Sequence, residues 1–191
     1  SVISAILGAP PTLSPYEDNG GYRELRYSYP SMSDGLINPE AYTQETSSVA
    51  QSRNTTVNLG VEYKPIEGLS INLLGNYINV DGRSDYYRTL EYPGSQGNGS
   101  ISTSNIQTIA SNNIVTYTKM LGSSHKISIM GGVTYEESLS TGIGISGSGF
   151  LSDATENYEI GAANVVSNPS SSYTRWQLLS VLSRLNYSYD D

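Results

Sequence analysis

The chain has 191 residues, a mass of 20.6 kDa and a formal net charge of -8, with no Cys, one His, one Trp, one Phe and 16 Tyr. Only 37% of its residues are apolar and 15% charged, below the roughly 45–50% and about 25% of ordinary globular domains. That excludes disulfide scaffolds, thiolate or multi-histidine metal centres and thiol nucleophiles, and the acidic balance excludes a phosphate-neutralising nucleic-acid surface.

No apolar run approaches the ~18–20 residues of a membrane helix, the longest lying around Val2–Pro11. No basic segment opens the chain and it starts on Ser1, so it is expected to be a fragment or a processed chain. Val2–Leu7 reads as a short helix, stopped by Gly8, Pro10 and Pro11. Residues 12–53 read as loop, punctuated by Ser14-Pro15, Asn19-Gly20-Gly21, Tyr29-Pro30, Ser33-Asp34-Gly35 and Asn38-Pro39. The tyrosines there (Tyr16, Tyr22, Tyr27, Tyr29, Tyr42) argue against plain disorder.

The period then changes to two. Val57, Leu59, Val61 and Tyr63 alternate with Asn58, Gly60, Glu62 and Lys64, as a half-buried strand requires. Pro65-Ile66-Glu67-Gly68 is a tight turn, after which Leu69, Ile71, Leu73, Gly75 and Tyr77 continue the alternation, so a β-hairpin is expected. A polar connection follows, from Asp81 to about Gly99. Strand character returns from Ile101 and is clearest over Ile114–Met120, then turns at Gly122-Ser123-Ser124. Ile127, Ile129, Gly131, Val133 and Tyr135 form the next strand, and Ser138–Ser172 reads as a second long polar connection. The last strand carries Leu179, Val181, Leu185, Tyr187 and Tyr189 on one face, and Arg184 and Asn186 on the other.

Short turns alternate with long connections, and the strands have about ten residues each. This is the pattern of a transmembrane β-barrel, in which outward side chains are apolar and inward ones face water. Tyr63, Tyr187 and Tyr189 stand beside the short turns, where an interfacial aromatic belt is expected. A soluble antiparallel β-sandwich that binds carbohydrate or protein shares the alternation and is the alternative.

Several small motifs have ordinary readings. Gly142-Ile143-Gly144-Ile145-Ser146-Gly147 matches the dinucleotide fingerprint in letters, but no helix pattern follows, so it reads as a flexible loop–strand junction. His125 with Ser123 and Ser124 lacks an orienting carboxylate and reads as a solvated turn residue. Glu136-Glu137, and Asp81 with Asp85, have no EF-hand spacing, and loop calcium is only a secondary reading. Tyr86, Tyr87, Arg88 and Tyr92 are candidates for contact with substrate or partner, because aromatic faces beside polar groups grip sugar rings. Packing of loops against one another is the alternative. No catalytic residue, metal ligand or cofactor site is expected.

Four segments carry a resemblance. Leu178–Asp191, with the wording S-x-x-x-R-x-N-Y-x-Y before an acidic turn, resembles a barrel motif of the SusC/RagA-type TonB-linked outer-membrane proteins. Asn38-Pro39-Glu40-Ala41 resembles the NP-x-A before a mid-barrel strand, and Glu62–Leu69 resembles the EY-x-x-x-x-GL periplasmic hairpin. His125–Glu137 resembles the strand that begins a later extracellular excursion. The resemblance implies an all-β fold: about five antiparallel strands of a large transmembrane barrel of about 22 strands, with long extracellular loops. Residues 1–54 would be an extracellular loop region with a helical start, and 55–191 barrel strands and loops, the barrel incomplete and the plug domain absent. It further implies a bacterial outer-membrane location and a non-enzymatic role in import of oligosaccharides or peptides. The implied partners are a SusD-like surface lipoprotein, TonB through parts outside this chain, outer-membrane lipid and a glycan or peptide substrate; nucleic acid is not among them. Arg184 and Asn186 would face the lumen in a structural role.

Overall fold

A computed structural model of the chain describes residues 2–10, 12–25 and 36–190. Tyr27, Tyr29 and the turn signals at Tyr29-Pro30 and Ser33–Gly35 lie outside the described residues. Helix α1 (Val2–Gly8) opens the chain, and α2 (Pro39–Gln44) precedes the strands. The strands are β1 (Thr46–Tyr63), β2 (Leu69–Arg88), β3 (Asn98–Leu121), β4 (His125–Ser148), the two-residue β5 (Val165–Val166) and β6 (Ser170–Tyr189). A 3-10 segment at Glu156–Ala162 lies between β4 and β5.

The long strands pair in the order β1-β2-β3-β4, and both β5 and β6 pair with β4. Five long strands in up-and-down order are what the alternation of short turns and long connections requires. No second sheet covers this one among the described residues, and the large apolar side chains of β1 and β6 stand exposed (Leu59 71%, Val181 79%). The β-sandwich alternative therefore fails, since a sandwich buries one face of each sheet. The sheet is open, as part of a barrel must be.

The strands are longer than the apolar alternation indicates. β1 begins at Thr46, inside the stretch read as loop; β2 runs on through the Asp81-Gly82-Arg83 signal to Arg88; and β4 absorbs residues to Ser148, including the whole Gly142–Gly147 motif. That motif is strand and not a loop–strand junction. A strand of 24 residues, such as β3 or β4, spans about 80 Å at ~3.4 Å per residue, whereas about 9–11 tilted residues cross a bilayer. Where a strand stands in water on both faces, its side chains need not alternate although its backbone still pairs.

The chain divides into two compact units. One comprises Ser1–Gln51, Gly82–Thr103 and Ile143–Ser171, and is called here the loop unit. The other, the strand unit, comprises Ser52–Asp81, Ser104–Gly142 and Ser172–Asp191. In the strand unit the β1–β2 turn needs glycine. Gly68 has φ +81°, and a Cβ there would collide with the carbonyl oxygen of Thr118, while the Gly68 carbonyl accepts from Thr118 N at 2.8 Å. Any other residue at this position would part β2 from β3.

Candidate functional site

The two faces of the strand unit differ in chemistry. On one face Asn58, Asn76, Thr108, Asn112, Thr134 and Glu136, interspersed with Ile78, Ala110, Leu178 and Tyr135, border a cavity of about 370 Å³. Lys126, Ser128, Asn186 and Ser188 border another of about 340 Å³. On this face Thr118 Oγ1 donates to Ser128 Oγ at 3.0 Å. Strand alternation puts Arg184 on the side of Asn186, the polar face expected for the lumen, and Arg184 is exposed.

The odd-numbered face carries an apolar band with two edges. Along β4 it runs from Ile127 to Tyr135, nine residues, which matches the crossing length of a tilted strand. At the short-turn edge Tyr63, Tyr187 and Tyr189 stand exposed, and His125 Nδ1 shares a hydrogen bond with Tyr187 Oη at 2.8 Å. His125 is therefore the first residue of a strand, tied to the aromatic belt, not a loosely solvated turn residue. At the opposite edge Glu137 accepts from Tyr135 Oη, Gln177 Nε2 (3.0 Å) and Arg175 Nε (2.7 Å). A carboxylate with three donors marks where apolar surroundings end.

These placements set apart the carboxylates named for the calcium reading. Glu136 and Glu137 are neighbours in a strand and point to opposite faces, so they cannot share an ion. Asp81 accepts from Asn79 and Asn105 in the strand unit, and Asp85 is paired with Arg83 at 2.8 Å in the loop unit. Among the described residues no group of three or more acidic, His or Cys side chains is placed to hold a metal ion.

The loop unit has a core of its own. Tyr87 (1% exposed), Phe150, Ile160 and Ala163 form it, with Ile101 and Ile145 packed against them. The Tyr87 and Phe150 rings meet edge to face, centroids 5.4 Å apart. Tyr87 Oη donates to Asp153 Oδ1 at 2.8 Å, and the same carboxylate accepts from the Leu90 backbone N at 3.1 Å. Asn157 Nδ2 donates to Asp85 Oδ1 at 2.8 Å. Asp153 thus ties the connection after β4 to the end of β2.

Of the four contact candidates, Tyr87 presents no face to a ligand, because burial and the bond to Asp153 make it the centre of the core. Its neighbours in sequence point the other way, as alternation demands, and are half-buried. The Arg88 guanidinium lies over the Tyr92 ring at 4.4 Å and 6.0 Å from the Tyr86 centroid. The structure therefore brings Tyr86, Arg88 and Tyr92 together and sets Tyr87 apart. Tyr92 also borders a cavity of about 170 Å³ with Leu25, Leu36, Asn38 and Pro93.

Asn38-Pro39-Glu40-Ala41 has a clear physical role here. Asn38 caps α2, accepting from Glu40 N and Ala41 N, and its Nδ2 donates to the carbonyls of Pro15 (2.7 Å) and Arg23 (3.0 Å). Pro39 occupies the first turn, where its missing N–H costs nothing. Ala41 is fully buried. Glu45, just past the helix, accepts from Tyr22 Oη (3.0 Å) and Thr89 Oγ1 (2.6 Å). Burial and that bond push the Tyr22 hydroxyl up to about 12. Sequence reasoning placed the NP-x-A motif but missed Asn38, Glu45 and Asp153 as the residues that lock this unit.

No family model matches the chain. It is 25% identical over 191 residues to TonB-dependent receptor P3 of Formosa agariphila, covering 98% of this chain and 18% of that protein. It is 29% identical over 103 residues to TonB-dependent receptor P26 of the same organism, covering 53% and 10%. Among solved structures it matches the RagAB peptide transporter with a TM-score of 0.77 at 22% identity, over 92% of this chain and 20% of that one. The same figures hold for the RagAB peptide importer in its open-open and closed-closed states. The likeness to SusC/RagA-type TonB-dependent receptors stands. The fold is barrel wall, and its location is the bacterial outer membrane. The chain spans about a fifth of the length of the receptors it matches over nearly its whole extent. Its relatives carry receptor and transporter names, none of them an enzyme's.

Proposed function

We propose that the chain is a sector of the wall and loops of a TonB-dependent outer-membrane importer of oligosaccharides or peptides, working with a SusD-like surface lipoprotein. TonB engages parts of the protein outside this chain. The observation that carries the reading is the two-faced sheet: an apolar band nine residues deep, edged by tyrosines and by the Glu137 cluster, backs a mixed face where Asn58, Asn76, Thr108, Asn112, Thr134 and Glu136 are interspersed with Ile78, Ala110 and Leu178. A bilayer on one side and water on the other account for that division. The likeness to the RagAB peptide transporter favours peptides as the cargo.

In this reading Tyr86, Arg88 and Tyr92 contact the cargo or the lipoprotein, and Tyr87 positions them from beneath. Arg184 and Asn186 contact the plug or neighbouring strands. The test is deletion of the complete receptor gene, followed by uptake of labelled oligopeptides and oligosaccharides by whole cells. Loss of uptake of one class, restored by the gene on a plasmid, is expected. Unchanged uptake of both classes would overturn the reading.

A further inference from the structure

Among the described cations, Arg23, Lys64, Arg83 and Arg175 each have a carboxylate within 4 Å. Arg53, Lys119, Lys126 and Arg184 have none, but they are exposed, so water solvates their charge. Arg88 fits neither group. It is half-buried, and among the described residues it has no carboxylate partner and its Nε, shut from water, has no hydrogen-bond acceptor. A donor of a charged group left in that state costs free energy, and natural structures rarely leave one without a reason.

The surroundings hold the guanidinium and do not neutralise it. Tyr92 lies under its plane at 4.4 Å and Tyr86 flanks it at 6.0 Å. Stacking on a ring fixes the plane and leaves the N–H edge, the part that pairs with planar oxyanions, without a partner. The fixed fork loses little freedom when a carboxylate docks against it.

We propose that Arg88, held by Tyr92 and Tyr86, is a subsite for a carboxylate group of the cargo. The inference deepens the import reading and rests on it. Two sources supply that group, an acidic side chain or terminus of a peptide and a uronate of an oligosaccharide. The anion supplies the counter-charge that the guanidinium lacks among the described residues.

The experiment uses the complete receptor in detergent. Binding is measured for a Glu-containing pentapeptide against its Gln counterpart, and for a uronate oligosaccharide against its carboxyl-reduced counterpart. In the wild type the acidic member of one pair is expected to bind better, which identifies the source. Arg88→Gln should weaken that member about tenfold or more and leave the neutral member unchanged. Arg88→Lys should recover only part of the loss, because it keeps the charge but not the fork. Arg53→Gln should change neither. Independently of affinity, phenylglyoxal modification of Arg88, read by peptide mass spectrometry, should be slowed by the acidic probe and not by the neutral one. Equal weakening of both members by Arg88→Gln, or no discrimination in either pair, would overturn the subsite. Uptake by the gene-deletion strain judges the import reading separately.

Discussion

The loop unit and the strand unit are held together by different forces. The loop unit has a small true core: Tyr87, Phe150, Ile160 and Ala163 are buried, and Asp153, Glu45 and Asn38 satisfy the polar groups around them. Among the described residues the strand unit has no buried side chain on its apolar face; Leu59, Val61, Leu179, Val181 and Leu185 are all more than half exposed. Its order comes from backbone pairing, and its apolar face must be covered from outside. One unit carries its own hydrophobic driving force, and the other borrows that of a bilayer.

Four predictions break or sharpen this contrast, each in the complete protein. The largest effect is expected for Tyr87→Ala, which removes the centre of the loop unit's core and should cost about 3–5 kcal/mol locally. Hydrogen exchange should quicken across residues 149–164 and stay unchanged in residues 125–135. Faster exchange in both would deny the loop unit its separate core.

Next, Leu59→Arg and Val181→Arg should each cost about 2–4 kcal/mol of folding into vesicles, as charges facing mid-bilayer do. Asn58→Arg, on the opposite face, should cost much less. Equal costs on the two faces would contradict the assigned lipid face, as would spin labels at Leu59 and Val181 that report water. A smaller loss of about 1–3 kcal/mol is expected for Asp153→Ala, which leaves Tyr87 Oη and Leu90 N without their acceptor. Its signature is a loosened 149–164 segment with strand pairing intact.

The smallest effect is in pH. Tyr22 is raised to about 12 in the fold, against about 10 for a free tyrosine. Its bond to Glu45 therefore contributes fully below pH ~10 and is lost as the pH rises through about 12. Ultraviolet titration should show a late tyrosine step that Tyr22→Phe removes. A titration with no step above the ordinary tyrosine range would show that the pocket around Glu45 is open to water.

Legibility followed the apolar face. The two hairpins around Gly68 and Gly122 could be read because one face of each is apolar, and period two then marks both strand and face. The same rule fails for residues 46–54, 81–88 and 138–148. There both faces meet water or loop, Asp, Gly and Ser are tolerated, and the strand persists on backbone bonds that leave no mark in hydropathy. The site was legible in part. The cluster Tyr86–Tyr92 could be singled out by composition, but not the division within it, since nothing local says which face of β2 lies over Phe150. Asp153 was invisible because it acts on Tyr87 and Leu90 from more than sixty residues away.

By itself the sequence determined that the chain makes up-and-down strands with one apolar and one polar face, since alternation is a local property of the polypeptide. It also determined the tight turn at Gly68, since only glycine takes that φ against a neighbouring carbonyl. Only the tertiary structure decided how far the strands extend and that Tyr87 is core. It alone left Arg88 a half-buried cation without a counter-charge among the described residues. Each of these depends on what a distant segment places beside the residue, and that information is not stored in the residue's own neighbours.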